Sequence, residues 1–99
     1  MYCCDLLENS ISHAGQRGLA TLVERTPERF IFYLQSRAVA FGDERRLRIE
    51  PMDITLNIDF TVGIHFCPWC GKRLQELVGA APREFAELAL QQRELVPKF

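Results

Sequence analysis

No stretch of this chain approaches the ~20 consecutive apolar residues that a membrane-spanning helix needs, and the opening "MYCCDLLENS" has neither the basic nor the apolar region of a secretory signal. These absences lead us to expect a cytoplasmic protein with no membrane partner. A strong charge of either sign is also missing: 12 Lys and Arg stand against 13 Asp and Glu. The basic footprint of a non-specific nucleic-acid binder is therefore lacking, and nucleic acid is not the expected partner. There is no internal repeat, low-complexity tract or Gly/Ser linker, so the 99 residues read as one domain, with residues 1–79 carrying the sheet and the cysteines and 80–99 a helix. Neither a phosphate-cradling glycine loop nor a Ser/His/Asp order is visible, which leans the reading away from an enzyme.

What is present is an ordinary folding composition, 47% hydrophobic and 25% charged, enough for a modest core and too apolar for disorder. In "ITLNIDFTVGIHF", Ile54, Leu56, Ile58, Phe60, Val62, Ile64 and Phe66 alternate strictly with Thr55, Asn57, Asp59, Thr61, Gly63 and His65. Period two predicts β structure with the apolar face buried, as one long strand or as two broken near Asn57, Asp59 or Gly63. "RFIFYLQ" alternates in the same way, and "GLATLVE" and "RRLRIE" are shorter candidates rich in strand formers. Pro, Gly and Asp in "RTPER", "FGDE" and "EPMD" mark the turns between them. Three to five antiparallel strands are expected.

The period changes outside this region. "PREFAELALQQRELVPKF" places Phe85, Leu88, Ala89, Leu95 and Val96 at helical spacing, with Pro82 suited to a first turn and Pro97 to a stop. The spacing predicts an amphipathic helix over roughly 82–95. "GKRLQELVG" adds a turn or two before it, "CDLLENSI" reads as a short N-terminal helix and "SHAGQRG" as a loop.

Cysteine occurs four times, as the adjacent Cys3 and Cys4 and as the Cys67-x-x-Cys70 pair of "HFCPWCGKRL". In a reducing cytosol such clusters are more often metal ligands than disulfides. Zinc bound by sulfur takes four thiolates at tetrahedral corners about 2.3 Å from the metal, and Cys-x-x-Cys presents two of them from one tight turn. Pro68 stiffens that turn, Gly71 can take a left-handed conformation after it, and the amides so exposed can reach the sulfurs. This is the framing of a zinc knuckle.

The other half of a site must come from Cys3 and Cys4, an unusual pair. Adjacent side chains alternate in a strand and diverge by about 100° in a helix, although their α-carbons lie only about 3.8 Å apart. The favoured set is Cys3, Cys4, Cys67 and Cys70 around one structural zinc, and iron suits the same thiolate cage. The alternative is three cysteines completed by His65 or His13, each of which is more commonly a solvated histidine. Locally, "TVGIHFCPWCGKRLQEL" also looks like the strand, Cys-x-x-Cys and helix of a thioredoxin or glutaredoxin, which would make Cys67 and Cys70 a thiol-disulfide oxidoreductase pair. In that fold the motif lies near the start, whereas here only 29 residues follow Cys70. A third reading takes Arg45, Arg46 and Arg48 with Lys72 and Arg73 as a weak RNA- or DNA-binding patch, against the commoner role of such charges in keeping a hairpin soluble.

The adjacent pair in "YCC" and the strand running into "IHFCPWCGKRL" resemble small, uncharacterised bacterial domains of the zinc-ribbon kind. The resemblance covers the two ends of roughly the first 75 residues. It implies that the four cysteines act together and carries no activity with it. The resulting expectation is an α+β fold: a small antiparallel β-sheet with a zinc knuckle and a C-terminal amphipathic helix. The expected role is a zinc-stabilised binding or adaptor module for an unknown protein partner. Trp69 and the apolar end "ELVPKF" are candidate contact surfaces, the latter as cover for the sheet or as one side of a homodimer.

Overall fold

A computed structural model describes residues 1–38, 40–42, 48, 49, 54, 55 and 59–96, of which 48, 49, 54, 55 and 59 are described by backbone alone. The N-terminal helix α1 spans Asp5–Ser12. It opens from Cys4, which is fully extended at φ −160° and ψ 162°. Asp5 and Glu8 lie in the first turn, where negative charge is favoured by the helix dipole. Leu7, Ser10 and Ile11 form its buried stripe at helical spacing.

Two strands of equal length follow, β1 (Gly18–Arg25) and β2 (Phe30–Arg37), paired antiparallel from Gly18↔Arg37 to Arg25↔Phe30. The turn between them is closed by Thr26, whose amide and hydroxyl both donate to the Arg29 carbonyl at 2.8 Å. A short ladder joins β3 (Arg48–Ile49) to β4 (Ile54–Thr55). β5 (Asp59–Ile64) then pairs antiparallel with β2, giving a three-stranded sheet in the order β1-β2-β5. Two helices end the described chain: α2 (Leu74–Ala80) and α3 (Pro82–Gln92), the latter with its proline in the first turn as expected. The fold is α+β, with a small antiparallel sheet and a C-terminal amphipathic helix. Among the described residues no helix is long and apolar enough to cross a membrane.

The main core lies at one end of the sheet. Val23, Phe32 and Ile64 make a row across the three strands by register. Against that row pack Leu7 and Ile11 of α1, Leu74, Leu77 and Val78 of α2, and Phe85 and Ala89 of α3, together with Cys67. A smaller cluster on the opposite face joins Leu22 and Tyr33 to Val96, with Leu95 and Ala14 at its margin. Gly15 faces this second cluster with φ 85°, and an added Cβ would come within 3.0 Å of Leu95 Cδ2. A turn and a close approach therefore both favour glycine there.

Two expectations need correction. The alternating segment forms β structure at Ile54–Thr55 and Asp59–Ile64, but its apolar face is not buried along its length: Phe60 is 66% exposed and Phe66 52%, with Val62 also open. Leu56 and Ile58 lie outside the described residues. The helices pack on β1 and β2, where Thr21 is buried 2.9 Å from the Ser10 hydroxyl of α1, and of β5 only Ile64 meets the core, so strand periodicity chose the right face while the placement of the helices decided how much of it is covered. The last helix also stops at Gln92, short of the expected 95. Leu95 and Val96 sit in the turn that follows, where Val96 reaches the second cluster and the Leu95 carbonyl accepts a hydrogen bond from Gln35 Nε2 at 3.3 Å.

Candidate metal centre

The strand β5 runs into a tight reversal at the Cys-x-x-Cys segment. The Cys67 amide donates to the Lys72 carbonyl at 2.8 Å, and the Gly71 amide returns to the Cys67 carbonyl at 2.9 Å. Gly71 has φ 78°, a left-handed conformation that suits glycine. Just outside, Phe66 bridges Arg73, and the Leu74 amide donates to the His65 carbonyl at 3.0 Å. This ladder sets Cys67 into the core, 3% exposed, and leaves Cys70 at the surface.

The N-terminal segment is brought to the same place by Tyr2. Its ring stands edge-on to Phe85 at 6.2 Å and 83°, and Phe85 in turn meets Phe32 edge-on at 5.8 Å. Such pairs hold ring positions as well as burying area. Cys3 and Cys4, directly after this anchor, are half-buried against the core. Each meets a different member of the downstream pair: Cys3 Sγ lies 3.2 Å from Cys70 Sγ, and Cys4 Sγ lies 3.7 Å from Cys67 Sγ. An adjacent pair thus spans the two sulfurs of the turn.

All four sulfurs lie within 4.8 Å of one another. Tetrahedral thiolates about 2.3 Å from a metal are separated by about 3.8 Å, so the cluster has the size such a centre requires. Both close contacts are much longer than a disulfide bond of about 2.05 Å. The group can hold a metal ion, and among the described residues it is the one such cluster of Cys, His, Asp and Glu side chains.

Neither histidine belongs to it. His13 Nδ1 is 2.7 Å from the Asn9 carbonyl oxygen, at the end of α1, and His65 is exposed beside Phe66, Arg73 and Gln75. Of the basic residues, Arg45 and Arg46 lie outside the described residues, as does the side chain of Arg48. Lys72 pairs with Glu76 at 3.4 Å, and the Arg73 guanidinium sits over the Phe66 ring at 5.9 Å.

The thiols are electrostatically unequal. Burial raises the pKa of Cys67, but amide hydrogen bonds from Cys70 and Trp69 and thiol contacts with Cys70 and Cys3 outweigh it and bring the value down to about 7. Desolvation pushes Cys3 far up, and its contacts with Cys70 and Cys67 push in the same direction. At Cys4 a hydrogen bond from the Leu7 amide pulls downward, yet burial and the neighbouring Cys67 and Cys70 thiols leave it above the ordinary value. At neutral pH Cys3 and Cys4 hold their protons and Cys67 ionises more readily than an ordinary thiol, so a divalent ion would have to displace the protons of Cys3 and Cys4. In the thioredoxin-like reading a helix N-terminus lowers the first thiol. Here α2 starts only at Leu74, and the turn's own amides do that work.

One further feature escaped sequence reasoning. Gln92 is buried between α1, β1 and α3: its Oε1 accepts the Val23 amide at 2.9 Å, and its Nε2 donates to the Ile11 carbonyl at 3.4 Å. The signal was available, because Phe85, Ala89 and Gln92 continue one helical stripe. Trp69, 38% exposed, faces Leu6 and Leu19 across a shallow hollow beside α1. Comparison with known proteins finds no matching family model, curated protein or solved structure.

Proposed function

We propose that Cys3, Cys4, Cys67 and Cys70 hold one structural zinc ion, and that the chain is a zinc-stabilised binding module of the cytoplasm, similar in kind to zinc-ribbon domains. The observation that carries the reading is the gathering within 4.8 Å of four sulfurs from two segments, with Cys4 and Cys67 63 residues apart in sequence. A borderline-soft ion without geometric preference suits four thiolates, and four protein ligands leave no open position for a reacting water. Such a centre would tie α1 to the turn after β5, and structural zinc in small peptides contributes about 10–16 kcal/mol of apparent binding free energy. Iron in the same cage is the competing occupant.

The binding role is supported by an uncovered apolar surface. Leu19 of β1 and Phe60 and Val62 of β5 are exposed on the sheet face that carries the core row. Leu6 and Trp69 continue it beside the metal cluster. Exposed apolar area of this kind marks interaction sites more often than chance. The test is metal content of purified protein by elemental mass spectrometry, with thiols titrated before and after chelation. One zinc per chain with four thiols masked until chelation is expected. A metal-free protein whose thiols all react at once would remove the reading.

A further inference from the structure

The four sulfurs differ in access and in pairing. Cys67 is buried, Cys3 and Cys4 are half-buried, and Cys70 alone is exposed. The shortest contact in the cluster joins that exposed sulfur to Cys3, at 3.2 Å. Closing this pair to a disulfide of about 2.05 Å asks for a movement of about 1.2 Å. The rival pairings fit less well. Cys3 and Cys4 are adjacent, with α-carbons about 3.8 Å apart, below the 4.4–6.8 Å (roughly) that disulfides span. Cys67–Cys70 and Cys4–Cys67 bonds would both use the buried Cys67, whose sulfur the Trp69 and Cys70 amides hold, and the Cys4–Cys67 contact is longer at 3.7 Å.

We propose that Cys70 and Cys3 form an oxidation site for hydroperoxides, which exchanges the metal for a covalent tether. The proposal rests on the metal reading in one respect: two of the four donors are consumed, so the ion is released. In the first step the Cys70 sulfur attacks the terminal oxygen of hydrogen peroxide. The O–O bond breaks, Cys70 becomes a sulfenic acid, and hydroxide leaves as water after protonation. In the second step the Cys3 sulfur attacks the Cys70 sulfur, the S–O bond breaks, and a second water leaves. Two thiols and one peroxide give one disulfide and two waters, the peroxide taking both electrons.

The structural consequence follows from where the bond lies. A Cys3–Cys70 disulfide joins the same two segments that the metal joins, so the N-terminal segment stays docked after the ion has gone. Cys4 and Cys67 remain as thiols. Oxidation therefore changes the staple and keeps the fold, and a thiol reductant restores the four-sulfur site.

The test uses the full wild-type chain, with zinc counted by elemental analysis before anything is added. Equimolar hydrogen peroxide is then supplied to the zinc-loaded and the chelator-stripped protein. Zinc release is followed with a chromogenic chelator, and the cross-link is located by tandem mass spectrometry. The expected result is a Cys3–Cys70 disulfide in both samples, two remaining thiols, release of the bound zinc, and zinc uptake after dithiothreitol. A Cys67–Cys70 disulfide, or zinc release with no cross-link between the two segments, would overturn the proposal. If no zinc is present at the start, the metal reading fails by itself, and cross-linking in the stripped sample still decides whether Cys3 and Cys70 are the oxidation pair.

Discussion

The ring of Tyr2 stands edge-on to that of Phe85 at 6.2 Å, and this contact sets the N-terminal segment where Cys3 and Cys4 can meet Cys67 and Cys70. Tyr2 supplies no sulfur, yet it limits where the two following residues can go. Replacing it by Ala leaves the four donors in place and frees the segment that carries two of them. Groups that orient ligands typically change metal affinity by about 10–100-fold, so Tyr2→Ala should weaken zinc retention by at least about tenfold. Competition with a chelator of known affinity measures this. Tyr2→Phe, which keeps the ring, should retain wild-type affinity.

Gln92 offers a test of the fold that is independent of the metal. It satisfies the amide of Val23 and the carbonyl of Ile11 in a buried position. Gln92→Leu keeps most of the volume and leaves both groups without that partner. An unsatisfied buried donor or acceptor costs about 1–3 kcal/mol. Urea unfolding of the metal-loaded variant should show stability lower by that amount, as a lower midpoint with an unchanged slope.

Metal affinity should fall as pH falls, and the direction follows from the thiols. Burial leads the causes that hold Cys3 protonated at neutral pH, and Cys4 also lies above its ordinary value. Zinc binds thiolate, so these protons must leave on binding, and each is harder to displace in more acidic solution. Cys67, brought to about 7, adds a further proton to displace once the pH drops below that value. Calorimetric titration in buffers of different ionisation enthalpy should count at least two protons released at neutral pH, and more below pH 7. A pH-independent affinity between 6 and 8 (roughly) would disagree with thiol ligands altogether.

Chelation should loosen the molecule unevenly. The β1–β2 hairpin is held by eight register pairs and by α3 through Gln92, none of which involves sulfur. Residues 1–12 and 65–74 lose their common anchor when the ion is removed. Amide hydrogen exchange should accelerate in those two segments while the central residues of β1 and β2 stay protected. Uniform acceleration throughout the chain would instead make the metal a requirement for the whole fold.

Much of this arrangement is legible in the residues. The alternation in "RFIFYLQ" and "DFTVGI" is read out directly as β2 and β5, and Pro82 marks the first turn of α3. The four cysteines could be grouped before any coordinates, because a knuckle supplies half of a tetrahedral set and the chain has only one other pair. What periodicity does not contain is the extent of cover. Phe60 and Ile64 occupy the same face of the edge strand, yet one is open and the other packed, since the helices dock on β1 and β2 and the core they form reaches β5 only at Ile64. Nor does it contain long-range polar partners. The bond from Gln92 to Val23 depends on where α3 docks, which only the tertiary fold decides.

The most direct measurement of the proposed zinc centre is X-ray absorption at the zinc edge of the purified, zinc-loaded protein. Four thiolate ligands give a single first shell of sulfur at about 2.3 Å. A shell of that composition, lost on oxidation and restored by reductant, is the expected result. A shell containing nitrogen or oxygen at about 2.0–2.2 Å would contradict the four-cysteine centre and bring a histidine, a carboxylate or water into it.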